Sequence, residues 1–164
     1  MPLVRADQPL LPSILDRLLD DHPDVSRESV ASQSQVLRDL HVSVRRDLEN
    51  LLNTRCRSRS WPKELTELQR SCVSYGIPDL SGADLGNSNA RRAFLRNLEN
   101  TIRLFEPRFK SVRVVPIENS DFTDRTLRFR INAMLHAYPA PEPIQFDSAL
   151  EPGTRNFEVR EPRA

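Results

Sequence analysis

Hydrophobic residues recur at helical spacing through the middle of the chain. Over residues 89–109 the apolar positions Phe94, Leu98, Ile102 and Phe105 lie four, four and three residues apart. A helix with about 3.6 residues per turn places such positions on one side. We expect this side to pack on the core of the domain.

Both ends of this helix have residues that suit a boundary. The short polar side chains at positions 87–89 can accept hydrogen bonds from the first backbone N–H groups. Pro107 ends the helix, because proline lacks the N–H donor and disfavours the helical conformation of the residue before it. Glu106-Pro107-Arg108 therefore forms a charged corner. Neither charge can be buried unpaired, so the two pair with each other or with another charged group.

An earlier amphipathic helix is predicted near the start of the chain, over residues 9–21, and His22-Pro23 stops it. A polar, serine-rich linker follows at 24–34. A helix separated in this way docks on a partner protein or packs back on its own domain. We predict an N-terminal docking helix within residues 1–23, whose apolar face comprises Leu11, Ile14, Leu15, Leu18 and Leu19.

Residues 34–54 predict the first long helix, with Asp47 among the charged residues placed mostly on its solvent side. Its apolar stripe comprises Leu37, Leu40, Val44, Leu48 and Leu51. Residues 61–80 fit either a short helix or an irregular packed loop, in which Gly76 takes a positive φ. Residues 34–54 and 61–80 precede the helix that Pro107 ends.

The hydrophobic period changes to two after Arg108. Residues 111–118 predict a strand in which Pro116 marks an edge or a strand end, and residues 126–137 alternate strictly between apolar and polar. The short turn between them predicts an antiparallel hairpin. Residues 144–147 predict a third strand or a packed extended segment, and 157–161 a short edge piece.

The expected fold is α+β, with N-terminal helices packed on a small, mainly antiparallel β-sheet. We place this domain at residues 35–152 and a polar C-terminal tail at 153–164. One such domain fits the chain length of 164 residues.

Charge and composition narrow the classes of partner. The net charge is +1, so the chain lacks the global positive charge typical of nucleic-acid-binding proteins. The basic loop at 55–59 has no aromatic residue within it, which also disfavours nucleic acid. Of the 24 basic residues only Lys63 and Lys110 are lysines. Arginine suits fixed pairing with carboxylates, although coding bias explains the preference equally well.

The sequence predicts no enzyme, cofactor or metal site. The three histidines lie far apart, and Cys56 and Cys72 have no CxxC partner. No glycine-rich phosphate loop is present. Glu99 and Glu106 could supply the two carboxylates of a glycoside hydrolase. Against this, Glu99 is expected on the solvent side, and Arg108 would lower the pKa of Glu106 when a general acid needs a raised pKa.

No signal peptide and no apolar stretch of membrane-spanning length is recognisable. We therefore expect a cytoplasmic protein that does not insert into the membrane, with both thiols reduced.

Six stretches together give the chain a family likeness. It resembles the TssE family of type VI secretion baseplate wedge subunits, which belongs to the larger family of contractile phage-tail wedge proteins that is sometimes labelled lysozyme-like. The matching stretches are SILDRLLDD at 13–21, SVRRDLENLLNTR at 43–55, SYGIPDL at 74–80, IRLFEPRF at 102–109, LRFRINAML at 127–135 and PIQFDSAL at 143–150.

The resemblance implies a non-enzymatic structural component that joins the wedge subunits TssF and TssG and helps to initiate assembly of the contractile sheath. TssK and the sheath proteins TssB and TssC are further candidate partners. The implied location is the cytoplasmic face of the inner membrane. The Glu-Pro-Arg motif maps to Glu106, Pro107 and Arg108, which we predict as partner-binding residues. A peptidoglycan-cleaving muramidase and a soluble adaptor of similar fold remain as alternatives.

Overall fold

The computed structural model describes residues 15, 18, 24, 33–56, 62, 64–79, 87–119, 126–137, 140–150, 154 and 156–162. Two α-helices, two short 3₁₀ helices and four strands make up this part, and the predicted α+β class is confirmed. The elements are α1 (Gln33–Asn53), the 3₁₀ helices Thr66–Arg70 and Cys72–Ser74, α2 (Ser88–Phe105), β1 (Phe109–Ile117), β2 (Leu127–Leu135), β3 (Glu142–Leu150) and β4 (Phe157–Arg160).

The two long helices begin and end within a residue or two of their predicted limits. Asn87 caps α2, and its Oδ1 accepts hydrogen bonds from the backbone N–H groups of Asn89, at 2.8 Å, and Ala90, at 3.4 Å. The predicted stripe of α2 is buried at Phe94, Leu98 and Ile102. On α1 the buried positions are Leu40, Val44, Leu48, Leu51 and Leu52.

The four strands form one antiparallel sheet in the order β1-β2-β3-β4, so each strand pairs with the next one along the chain. Val114 lies opposite Ile131, and Ile131 lies opposite Phe146. The register shifts between Phe109 and Ser111, where β1 leaves the corner. The predicted hairpin, the third strand and the edge position of β1 are confirmed.

Burial alternates along β2, β4 and most of β3, and β1 adds Phe109, Val112 and Val114. These buried residues make one inner face that the helices cover. Helix α2 packs against β1 and α1 packs against β4. Phe129, Ile131 and Phe146 lie at the centre of this face and are completely buried. The alternation predicted for β2 from the sequence is therefore the alternation of its burial.

The sheet extends beyond residue 152, where we placed the end of the domain. Strand β4 confirms the short edge piece predicted at 157–161, although it lies within the predicted tail, and its Phe157 and Val159 are 2% and 1% exposed. Asn53, at the end of α1, binds backbone groups at the free edge of β4. Its Nδ2 donates to the Phe157 carbonyl at 3.0 Å, and its Oδ1 accepts from the Phe157 N–H at 2.8 Å. Strand β4 thus completes the sheet, although the polar composition of residues 153–164 indicates a tail.

Residues 64–79 are an irregular packed segment with two short 3₁₀ helices, which is the second of the two alternatives that the sequence left open. Arg55 forms a parallel bridge with Ile77 at its end. Gly76 has the predicted positive φ, +106°, and a Cβ there would lie 2.4 Å from the Thr54 carbonyl oxygen. Only glycine fits this close approach without displacing the backbone.

Of the predicted N-terminal helix, Leu15 and Leu18 are described, and both are helical. Leu11, Ile14 and Leu19 lie outside the described residues, as do residues 25–32 of the predicted linker.

Candidate functional site

The corner at the end of α2 is held by backbone bonds on both sides. The N–H of Glu106 donates to the Ile102 carbonyl at 2.8 Å and completes the last helical turn. Pro107 is exposed at the bend. The carbonyl of Arg108 then accepts the N–H of His136 at 2.9 Å, which attaches the corner to the end of β2.

Glu106 and Arg108 form a two-pronged ion pair across the proline. Arg108 Nε donates to Glu106 Oε1 at 2.7 Å, and Arg108 Nη2 donates to Glu106 Oε2 at 2.5 Å. The backbone N–H of Arg108 also donates to Oε1, at 3.1 Å. Because this geometry matches the planar fork of arginine to both carboxylate oxygens, a lysine could not reproduce it.

The same guanidinium reaches across to α1. Its Nη1 donates to Ser43 Oγ at 3.0 Å, and its Nη2 donates to Asp47 Oδ2 at 2.7 Å. Asp47 Oδ1 in turn accepts from Arg46 Nη2 at 3.3 Å. The charges of Arg46, Asp47, Arg108 and Glu106 therefore balance within one network that joins both helices.

Burial and charge together determine the electrostatics of this network. Burial lowers the pKa of the Arg108 guanidinium, but the hydrogen bonds and charges of Glu106 and Asp47 outweigh it and raise the pKa above its ordinary value. Burial raises the pKa of Tyr75, and the carboxylates of Asp47 and Glu106 raise it further. The Tyr75 ring lies edge-on to Phe105, 5.3 Å away, so aromatic residues flank the charged network.

The sequence-based interpretation of this corner needs correction. From the resemblance we predicted Glu106, Pro107 and Arg108 as partner-binding residues, which would require their side chains to be accessible. Glu106 is only 5% exposed, the Arg108 side chain is 18% exposed, and the two pair with each other, one of the two outcomes allowed above. Of the three motif residues, Pro107 alone is exposed.

Two further members of the site, Ser43 and Asp47, are absent from the predicted site. They lie four residues apart on α1, next to the buried Val44 and Leu48. That spacing places them on one side of the helix, at the border of the apolar stripe. This border position is the signal in the sequence, but the distance of 61 residues between Asp47 and Arg108 conceals the contact.

Helix α2 also occupies the free edge of β1. Glu99 Oε2 accepts the backbone N–H of Val114 at 3.0 Å, and Arg103 Nη2 donates to the Val112 carbonyl at 3.4 Å. Glu99 and Arg103 are themselves ion-paired at 2.8 Å. Glu99 therefore binds the strand and does not simply face solvent, contrary to our expectation. Pro116, the next residue of the same edge, has no N–H to offer a partner strand.

The described leucines of the N-terminal segment are exposed, at 48% for Leu15 and 75% for Leu18. These exposed apolar side chains sit on helical backbone outside the core cluster. Exposed large apolar residues on one helix are typical of a docking surface, although single ones are common on any protein.

A pocket of about 480 Å³ lies beside α2 and is lined by residues of β1, β2 and β3. Glu99 is the only carboxylate in its lining, and Arg103 and the Val114 N–H already bind it. Hydrolysis of a glycosidic bond needs two carboxylates facing one cleft, and this pocket does not provide them.

Among the described residues there is no group of three or more His, Cys, Asp or Glu side chains that could hold a metal ion. No described helix is long and apolar enough to cross a membrane. Cys56 and Cys72 are both free thiols.

Residues 38–140 match the family model described as Baseplate wedge protein gp25. The chain belongs to this family. The match covers most of α1, all of α2 and the hairpin of β1 and β2, so Asp47, Glu106 and Arg108 all lie within it. The predicted membership of the wedge family is thereby confirmed, and it supports a structural role in the baseplate of a phage-like contractile tail. A comparison with curated proteins gave no match.

Proposed function

We propose that this wedge-family protein is a TssE-type subunit of a type VI secretion baseplate. In this role it joins TssF and TssG and helps to begin assembly of the contractile sheath at the cytoplasmic face of the inner membrane. The family match over residues 38–140 is the observation on which the proposal rests. Residues 13–21 and 143–150, beyond the matched range, resemble the TssE family as well.

The proposed role needs a rigid body with defined attachment points, and the Arg108 network supports such a body. The contacts of Arg108 to Ser43 and Asp47 fix α1 relative to the end of α2. In this proposal the motif charges act inside the subunit and hold the corner in shape. Exposed Pro107 is then the motif residue that meets a partner, together with Leu104 of the last helical turn, which is 38% exposed.

The second proposed attachment point is the N-terminal helix. Leu15 and Leu18 are exposed and helical, and a helix laid into a groove of a partner uses side chains at this spacing. We propose that Leu11, Ile14 and Leu19 continue the same contact with TssF and TssG. TssK, TssB and TssC are the further proposed partners, and the role needs neither nucleic acid nor membrane insertion.

The decisive experiment is co-expression with TssF and TssG from the same source, followed by size-exclusion chromatography. We expect one peak that contains all three chains. If the protein elutes alone under every condition, the proposal fails. A cell-wall turbidity assay would then test the muramidase, and a search for one soluble partner would test the adaptor.

We predict that the double variant Leu15→Asp with Leu18→Asp no longer elutes in the ternary peak but keeps its folded core. The new carboxylates would have to be desolvated in the docked helix, whereas both positions are already solvent-exposed in the subunit. Val42→Asp is the matched control, because Val42 is 53% exposed on α1 and lies outside the proposed surface. Retention of the double variant in the ternary peak would contradict the docking role of this helix.

A further inference from the structure

The outer face of the sheet, which points away from the helices, is rich in arginine. Its described charged residues are Arg113, Arg128, Arg130, Arg160, Asp147 and Glu158. Four positive and two negative side chains give the described part of this face a formal net charge of +2, and Arg128 has an interaction of its own.

Both carboxylates of this face are already engaged by arginine. Arg130 donates from Nε to Asp147 Oδ1 at 2.6 Å and from Nη2 to Oδ2 at 3.0 Å. Arg160 Nε donates to Glu158 Oε1 at 2.5 Å. These pairs leave neither carboxylate available to neutralise the rest of the face.

Next to these pairs lies a row of three polar side chains from adjacent strands. The row also lines the pocket beside α2, in which the Glu99 carboxylate is already bound by Arg103 and the Val114 N–H. Arg113 is opposite Asn132, and Asn132 is opposite Gln145. Arg113 and Gln145 are exposed, and Asn132 is half-buried. Within the described part of the chain, none of the three has a side-chain hydrogen bond or ion pair. A guanidinium and two carboxamides thus offer N–H donors side by side.

We propose that the row of Arg113, Asn132 and Gln145 binds an acidic segment of a protein partner. A carboxylate can accept two parallel bonds from a guanidinium, and the neighbouring amides can donate to the same group or to the next one. Cross-strand neighbours are spaced about 5 Å apart, which lets one extended acidic segment contact all three. This surface is additional to the attachment points of the proposed wedge function and does not depend on them.

The composition around the row favours protein over nucleic acid. Met134 and Pro143 lie opposite each other in the adjoining row and supply apolar contact area. Methionine and arginine are enriched in protein interfaces. Single-stranded nucleic acid is usually bound by aromatic side chains that stack on the bases, and the described outer face has none.

The test uses the full-length ¹⁵N-labelled protein and a synthetic hexaglutamate peptide in an NMR titration. Hexaglutamine of the same length is the neutral control, and oligodeoxythymidylate is the nucleic-acid control. We expect hexaglutamate to shift the Arg113, Asn132 and Gln145 signals, with an affinity that falls as salt rises. Arg113→Gln should weaken binding about tenfold, since it removes a charged donor. Arg96→Gln, at an exposed arginine of α2, should leave binding unchanged.

Three outcomes would overturn the proposal. One is the absence of localised shifts up to millimolar hexaglutamate. Another is an equal loss of affinity in Arg113→Gln and Arg96→Gln, which would mean diffuse attraction to positive charge. The third is equal or tighter binding of oligodeoxythymidylate at the same row, which would identify a general polyanion site. Far-UV circular dichroism of both variants establishes that neither has lost its fold.

Discussion

Arg108 is the residue on which the corner depends. It pairs with a carboxylate, that of Glu106, which has almost no access to water, and it also reaches Ser43 and Asp47 on the other helix. Desolvation of two charges is costly, so the pair need not add much stability over an apolar pair. Removal of one partner is different, because the other charge then stays buried without compensation.

We predict that Arg108→Ala lowers the free energy of unfolding by about 3–5 kcal/mol, because Glu106 is left buried and charged. Urea denaturation followed by circular dichroism measures the change. Arg103→Ala is the matched control: the Arg103 side chain is 58% exposed in its pair with Glu99, and such surface pairs contribute below about 1 kcal/mol.

A second substitution tests whether the uncompensated charge of Glu106 causes the loss of stability. In the Arg108→Ala background, Glu106→Gln removes the stranded charge and should restore part of the lost stability. The internal role of Arg108 would be contradicted if Arg108→Ala lowered the free energy of unfolding no more than Arg103→Ala does. It would also be contradicted if the double variant recovered no stability.

Tyr75 gives a prediction about pH. Its pKa is raised above the ordinary value of 10.0, mainly by burial and then by Asp47 and Glu106. The folded protein therefore holds the phenolic proton more tightly than the unfolded chain does. This contribution to stability is fully present below the unfolded pKa and is lost as pH rises through the folded pKa.

We accordingly expect the wild type to lose more stability than Tyr75→Phe as pH rises above about 10. Urea denaturation of both proteins at pH 8 and at pH 11 gives the comparison. Parallel stability profiles for the two proteins would show that Tyr75 is not coupled to the charged network.

At the scale of elements, the exposed edges of the sheet are bound by side chains from the helices. On β1, Glu99 accepts the Val114 N–H and Arg103 donates to the Val112 carbonyl, while Pro116 has no N–H to donate. On β4, Asn53 binds both the N–H and the carbonyl of Phe157. Natural proteins protect edge strands in such ways because free edges pair with other chains. The β1 edge is therefore poorly suited to the addition of a strand from another chain.

We predict that Glu99→Ala with Pro116→Val frees the β1 edge and promotes self-association. The double variant restores an N–H at position 116 and releases the Val114 N–H. Analytical ultracentrifugation across a range of concentrations should show a shift to larger species. Glu67→Ala with Pro62→Val is the control, since it makes the same types of change at exposed positions outside the sheet. No difference between the two double variants would contradict the protective role.

At the scale of the whole molecule, β4 connects the end of the chain to α1. Phe157 packs against Phe94 and Phe129, so one ring joins α2, β2 and β4. Phe157 and Val159 of this strand extend the buried inner face of the sheet. The last strand is therefore a part of the core, although the residues around it are polar.

Truncation after residue 152 should cost about 3–6 kcal/mol, because two fully buried side chains, Phe157 and Val159, are lost at about 1.5–3 kcal/mol each. Truncation after Pro162 keeps β4 and should leave stability unchanged. Thermal unfolding by circular dichroism compares the two. Equal melting temperatures would indicate that the sheet does not need β4.

Local pattern in the sequence determined the elements. The change of period from 3.6 to two, together with Asn87, Pro107 and Pro116, predicted both long helices, the hairpin and the edge position of β1. These features depend on neighbours a few residues away, so they can be deduced without the fold. Membership of the wedge family was likewise predicted from short stretches in order along the chain.

Only the tertiary structure decided which charges meet. Arg108 with Asp47, Glu99 with the Val114 N–H and Asn53 with Phe157 are contacts between residues 61, 15 and 104 positions apart. Sequence pattern places Asp47, Glu99 and Asn53 on helices but does not specify their partners, because a partner depends on how the elements pack. The same packing buries Glu106. The charged corner therefore connects the end of α2 to α1 inside the subunit, through the contacts of Arg108 with Ser43 and Asp47.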